Sequence, residues 1–184
     1  MVTVVRPARE QEVQALHELA ALTFPLACPA HLPAEAIDGF VAEHLSVAAF
    51  RVHLAHPDHT VLVADVDDRL RGYALAKLGP PQDPDVREAV PEGPWCELSK
   101  LYVHPDGHGA GVARALLDAV EGAAREASAA TLWLGVNQLN QRANAFYAKQ
   151  GLEVVGTRHF VVGGQVEADF VRARRARDVR EGSP

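Results

Sequence analysis

The sequence predicts a single α/β domain built on a mixed sheet with helices on both faces. Three observations carry this reading. Short β-rich runs recur between residues 3 and 172, helical periodicities separate them, and neither an internal repeat nor a linker divides the chain. With 184 residues there is length enough for one sizeable core, because a domain of this size buries about two-thirds of its unfolded surface.

The elements follow in order. Residues 3–5 are a β-branched run ended by Pro7. Residues 10–22 read as a helix, with Val13, Leu16, Leu19, Ala20 and Thr23 at its spacing. Pro25, Pro29 and Pro33 then predict a loop, and Pro33 suits the first turn of a second helix through Ala34, Ile37, Phe40, Val41 and Leu45. Ser46 suits the N-cap of a third, short helix ending near Leu54.

From Thr60 the texture changes. Residues 61–64 and 70–78 form a hairpin about Asp67-Asp68. Residues 79–94 carry five prolines and read as a loop. A strand over 96–103 precedes a Gly-rich turn, and Val112, Ala115, Leu116, Ala119, Val120, Ala123 and Ala124 then mark the clearest amphipathic helix. Residues 131–136 are a strand, and 141–150 a helix stopped by Gly151. Residues 153–162 and 165–172 are strands around the Gly163-Gly164 turn. The domain is thus expected over residues 1–172, and residues 173–184 are read as a charged tail that frays.

Composition narrows the function. The formal net charge of −6 disfavours nucleic acid, which calls for clustered Lys and Arg; it weakly favours a cationic partner, or serves solubility alone. No apolar run approaches the roughly 20 residues of a membrane span, and the N-terminus lacks a signal-peptide pattern. Cys28 and Cys96 form neither a disulfide framework nor a zinc motif, so a cytoplasmic location is expected. The one histidine pair at i, i+4, His104 and His108, straddles Pro105, and no metal site is expected.

The chemistry concentrates in Leu101-Tyr102-Val103-His104-Pro105-Asp106-Gly107-His108-Gly109-Ala110-Gly111-Val112-Ala113-Arg114. Glycines at a strand-to-helix turn let main-chain amides converge. The helix start adds about four unpaired N–H groups and roughly half a positive charge, which suits a diphosphate. The dinucleotide pattern G-x-G-x-x-G fails in register, since the sixth position from Gly109 is Arg114, and no Gly-Lys-Ser/Thr is present for a P-loop. A tight turn that only packs the helix is the alternative.

This segment resembles the acyl-CoA motif of the GNAT superfamily of N-acetyltransferases, with His108, Gly111 and Ala113 in the places of its Gln/Arg-x-x-Gly-x-Gly/Ala pattern. His108 departs from the usual Gln or Arg. Leu134, Val136, Asn140, Ala143, Phe146-Tyr147, Lys149 and Gly151-Leu152 resemble the second half of the same signature, so the likeness spans about residues 97–152. It implies a GNAT-like, mixed and mostly antiparallel twisted sheet of about seven strands flanked by helices on both faces. It further implies acetyl-CoA as co-substrate, its diphosphate on the main-chain amides of His108 to Ala113, with Arg114 also among the cofactor-binding residues, and its pantetheine arm along Leu101, Tyr102 and Val103. The acceptor is an amine of undefined identity, and a homodimer is compatible with the reading.

Acyl transfer to an amine needs a proton acceptor and a proton donor. Strand alternation places Glu97, Ser99, Leu101 and Val103 on one face, and by resemblance Glu97 is the base; a strand-end ion pair is its alternative, and Asp65, Glu92 or a water are other bases. Tyr147 stands where the family carries the tyrosine that protonates the departing thiolate. Asn140 precedes the next helix and suits either its N-cap or a pantetheine amide. Phe24, Cys28, His31 and Phe40 are candidates for the acceptor wall. Two rival readings stand beside this one: a catalytically weak acyl-CoA-binding sensor module, and a nucleotide-dependent enzyme.

Overall fold

The computed structural model describes residues 2–175 and contains one seven-stranded sheet. Its strands are β1 (Thr3–Pro7), β2 (His59–Val66), β3 (Arg69–Leu78), β4 (Trp95–Val103), β5 (Thr131–Asn137), β6 (Glu153–Val162) and β7 (Gln165–Arg175), in the spatial order β1-β2-β3-β4-β5-β7-β6. Every neighbouring pair is antiparallel except β4 and β5. The helices are α1 (Val13–Ala27), α2 (Ala34–His44), α3 (Val47–Ala55), α4 (Pro84–Ala89), α5 (Val112–Glu126) and α6 (Gln141–Lys149).

Alternation along the strands divides the core in two. Leu62, Ala64, Ala74, Ala76, Leu132 and Leu134 face the apolar stripe of α5, where Val112, Leu116, Leu117 and Val120 are buried, and Tyr147 of α6 joins them. Val61, Val63, Tyr73 and Leu75 face the other way, against Leu16, Phe24, Phe40 and Phe50 of α1, α2 and α3. Burying such side chains is worth about 1.5–3 kcal/mol each. A small third cluster joins Val86 and Val90 to Trp133, Val171 and Ala173.

Four expectations change. α1 continues past Leu22 to Ala27 with Pro25 in its last turn. There the missing proline donor removes a single helical bond, while Phe24 stacks on Phe40 at 4.5 Å between ring centroids. The proline-rich stretch 79–94 contains α4, because Asp83 caps the amide of Asp85 at 2.9 Å and Pro84 preorganises the first turn. The segment read as a tail begins in β7, which pairs with β5 as far as Thr131↔Arg175; residues 176–184 lie outside the described residues.

The fourth change concerns the face of Glu97. Directly opposed residues share a sheet face, and β4 pairs as Tyr73↔Tyr102 and Leu75↔Lys100 but then Ala76↔Leu98 and Lys77↔Glu97. Ser99 is therefore the extra residue of a β-bulge, which reverses the alternation behind it. Glu97 lies on the face of Lys100 and Tyr102, opposite to Leu101 and Val103.

Candidate active site

Pairing between β4 and β5 covers only Trp95↔Thr131, Cys96↔Leu132 and Glu97↔Trp133. Beyond Glu97 the two strands diverge, and among the described residues no strand pairs with that side of residues 98–103. The wedge opens into two cavities, of about 350 and 570 Å³. They share Leu101, Tyr102, Asn140, Ala143 and Tyr147 in their walls.

The smaller cavity is walled by Leu101, Tyr102 and Val103 on one side and by the Gly-rich turn with the start of α5 on the other. Gly109 and Gly111 hold φ of +80° and +79°, a region that other residues enter at a cost of about 1–2 kcal/mol. The amides of His108 and Ala110 are engaged within the turn, by Pro105 O at 3.0 Å and Gly107 O at 3.4 Å. Those of Gly109, Gly111, Val112, Ala113 and Arg114 have no hydrogen-bond partner among the described residues. Of the residues expected to bind the cofactor, all but Ala110 line this cavity.

His108 spans the cavity's edge. Its Nε2 lies 3.0 Å from Val103 O and its Nδ1 3.0 Å from Arg142 Nη1. A carbonyl only accepts and a guanidinium only donates, so the ring carries its proton on Nε2. Arg114 extends away from the turn, to Asp118 at 2.8 Å and to Gln150.

Tyr147 projects from α6 between the cavities, and its hydroxyl has no hydrogen-bond partner among the described residues. Burial pushes its phenol, like that of Tyr102, well above the usual tyrosine range. Both remain protonated at neutral pH. Asn140 caps α6, its Oδ1 accepting from the Ala143 amide at 3.1 Å, and also borders both cavities.

The larger cavity lies on the sheet face of Glu97, which lines it with Lys77, Lys100, Arg158, Glu167 and Asp169. Glu167 is 6% exposed; its Oε1 accepts from His31 Nε2 at 2.7 Å and its Oε2 from Asn137 Nδ2 at 3.1 Å. Burial raises the Asp169 carboxyl above its ordinary range, with Arg158 opposing at 3.3 Å. Phe24, Phe40, Phe160 and Cys28 add an apolar wall. Burial, assisted by Glu167, pushes the Cys28 thiol up to about 11. Neither Asp65, which pairs with Arg6 at 2.8 Å, nor Glu92 lines either cavity.

Of the residues expected in the site, the structure brings Glu97, Tyr147 and Asn140 to the larger cavity together with Phe24, Cys28 and Phe40, and His31 reaches it through Glu167. Sequence reasoning missed Lys77, Lys100, Arg158, Glu167 and Asp169. Their signal was faint: isolated charges at alternate positions of otherwise apolar strands. Among the described residues no group of His, Cys, Asp and Glu is arranged to hold a metal ion, and no helix is long and apolar enough to cross a membrane.

Comparisons with known proteins agree on the kind of fold. The model of the acetyltransferase (GNAT) family matches residues 13–152. A Mycobacterium tuberculosis H37Rv protein named as an uncharacterized N-acetyltransferase is 45% identical over 159 residues, which are 86% of this chain and 94% of its own. The Thermoplasma acidophilum PaiA N-acetyltransferase, solved with coenzyme A, superposes with a TM-score of 0.77 at 20% identity, over 95% of this chain and 99% of that one. The Escherichia coli ribosomal-protein-S18-alanine N-acetyltransferase does so with 0.67 at 16% identity, over 100% and 99%.

Proposed function

The chain belongs to the GNAT acetyltransferase family, and from that premise we propose that it transfers the acetyl group of acetyl-CoA to a primary amine by direct attack in a ternary complex. The acceptor is a small molecule or a peptide or protein N-terminus. One observation carries the reading: a cleft lined by unpaired amides and a charged, half-apolar cavity meet at the Tyr147 side chain.

The residues present fit such a co-substrate. Five unpartnered amides at the start of α5 suit its diphosphate, each hydrogen bond to a charged group being worth about 1.5–3 kcal/mol. The unpaired side of β4 at residues 101–103 suits the amide-bearing pantetheine arm, as an added strand would pair there. When bound, acetyl-CoA supplies the acetyl group activated as a thioester.

The remaining work falls to the chain. Glu97, directly or through a water, takes the proton of the attacking amine, whose removal at pH 7 from a lysine-like group costs about 4.6 kcal/mol. The new N–C bond forms as the C–S bond breaks, and the Tyr147 hydroxyl gives its proton to the departing thiolate. A main-chain amide near residues 101–103 holds the developing oxyanion. The Cys28 thiol, pushed up to about 11, stays protonated at neutral pH, which supports direct attack over a thioester relay on the enzyme.

The test is release of free CoA thiol from acetyl-CoA across a panel of amines, with cofactor binding followed by calorimetry. Saturable CoA binding with amine-dependent thiol release is expected. Absence of CoA binding overturns the proposal.

A further inference from the structure

The larger cavity is lined by three cations beside the carboxylates of Glu43, Glu97, Glu167 and Asp169, and acetyl transfer itself gives the cations no role. Lys77 reaches it from β3, Lys100 from β4 and Arg158 from β6. Among the described residues neither lysine makes a hydrogen bond or ion pair. Burial, with the charges of Lys77 and Arg158, pushes the Lys100 ammonium down to about 8 against the opposing pull of Glu97; all four groups line the one cavity.

Arg158 is the best-fixed of the three. Its side chain is 17% exposed, and its Nε donates to Asp169 Oδ2 at 3.3 Å. The guanidinium lies over the Phe160 and Trp133 rings at 5.5 and 5.8 Å. Glycine at 135 makes the arrangement possible, because a Cβ there would collide with the guanidinium. Three contacts thus immobilise the fork while Nη1 and Nη2 keep no hydrogen-bond partner among the described residues. A partly buried guanidinium with two unbonded nitrogens facing a cavity can take a further anion, and its planar fork matches a carboxylate.

Asp169 is engaged by Arg158, and Glu167 by His31 and Asn137; Glu97, opposite Lys77, and Glu43 line the cavity as well, and none of the four carboxylates bonds the Arg158 Nη atoms. Beside the cations stand the stacked rings of Phe24 and Phe40, with Phe160 5.7 Å from Phe40. We propose that the acceptor is an α-amino acid with an apolar side chain, its carboxylate held by the Arg158 fork and Lys100 and its side chain against Phe24, Phe40 and Phe160. As a substrate assignment this rests on the acetyl-transfer reading; as a carboxylate site it stands on the cavity alone. Polyamines lack the carboxylate that the Arg158 fork would pair.

The experiment compares leucine, phenylalanine and methionine with their decarboxylated amines as acceptors, and N-acetyl-leucine with N-isopentylacetamide as ligands of the CoA-saturated enzyme by calorimetry. The carboxylated member of each pair is expected to have a KM or Kd lower by about tenfold or more. Arg158→Met and Lys100→Met should each erase most of that preference by raising KM with little change in kcat, and Arg158→Lys should retain part of it. CoA affinity and melting temperature check that each variant is folded. The inference is overturned if decarboxylated amines or spermidine are the better acceptors, or if the preference survives in Lys100→Met and Arg158→Met. Should N-acetyl-leucine bind as expected while no amine is acetylated, the carboxylate site stands and the transfer reading falls.

Discussion

Glu97 on β4 stands directly opposite Lys77 on β3, on the face that carries Tyr102 and the larger cavity. The bulge at Ser99 creates this relationship. Without it Glu97 would share the face of Leu101 and Val103, which pack toward α5, and its carboxylate would be directed into apolar core.

The first prediction follows from that placement. Glu97→Gln keeps the shape and hydrogen-bonding reach of the side chain and removes its capacity to take a proton. Turnover should fall by about 10²-fold or more. Without the base only the pre-existing neutral amine reacts, so the ratio of wild-type to variant rate should grow as pH falls below the acceptor's own pKa. A pH profile of kcat/KM measures this, and a pH-independent ratio would assign the base elsewhere.

Much of the fold could be read before the structure, and the exceptions have physical causes. The α5 stripe and the paired strands were legible because helical and strand periods are written directly in side-chain polarity. The bulge was not, since a one-residue slip reverses every subsequent side chain and has no composition of its own. α4 hid among five prolines, although Asp83-Pro84 is a helix-start signal. Arg158, Glu167 and Asp169 converge only because β7 inserts between β5 and β6, pairing Asn137, Asp169 and Arg158 in one row. The Gly-rich turn proposed for the cofactor was legible because it is continuous in sequence; the larger cavity, proposed for the acceptor, is assembled from strands distant in the chain.

Tyr147 gives the second prediction. Burial raises its phenol and keeps it protonated, so it is a donor throughout the ordinary assay range. Tyr147→Phe should lower kcat while leaving the Kd for CoA within about threefold, and the kcat profile of the native enzyme should show no falling limb from this group below about pH 10. An equal loss in kcat and cofactor affinity would instead indicate that the hydroxyl only supports packing.

The third prediction concerns the amide cradle. Gly111 caps α5 at φ +79° with open space where a Cβ would stand. Gly111→Ala therefore meets no collision and should cost about 1 kcal/mol of stability, from the backbone conformation alone. Gly111→Asp adds a negative charge beside the five free amides and should abolish CoA binding while destabilising the fold by a similar amount. Calorimetry and thermal melts on both variants separate the two effects; CoA affinity unchanged in Gly111→Asp would displace the diphosphate from this turn.

Lys100 links the acceptor cavity to stability. Burial pushes its ammonium down to about 8 in the folded chain, against about 10.4 when unfolded. Below pH 8 both states hold the proton and the fold bears the cost of a buried charge. Between pH 8 and 10.4 the unfolded chain binds more protons than the folded one, so stability rises with pH across that window. Lys100→Met should accordingly stabilise the protein at pH 7 by about 1–3 kcal/mol, with the charge-dependent gain gone above about pH 10, as denaturant melts at the two pH values would show. A gain independent of pH would mean that methionine merely packs better. The same substitution is expected to weaken carboxylate binding, so one side chain would trade folding free energy for recognition, a compromise common where a site must present an unpaired charge to its ligand.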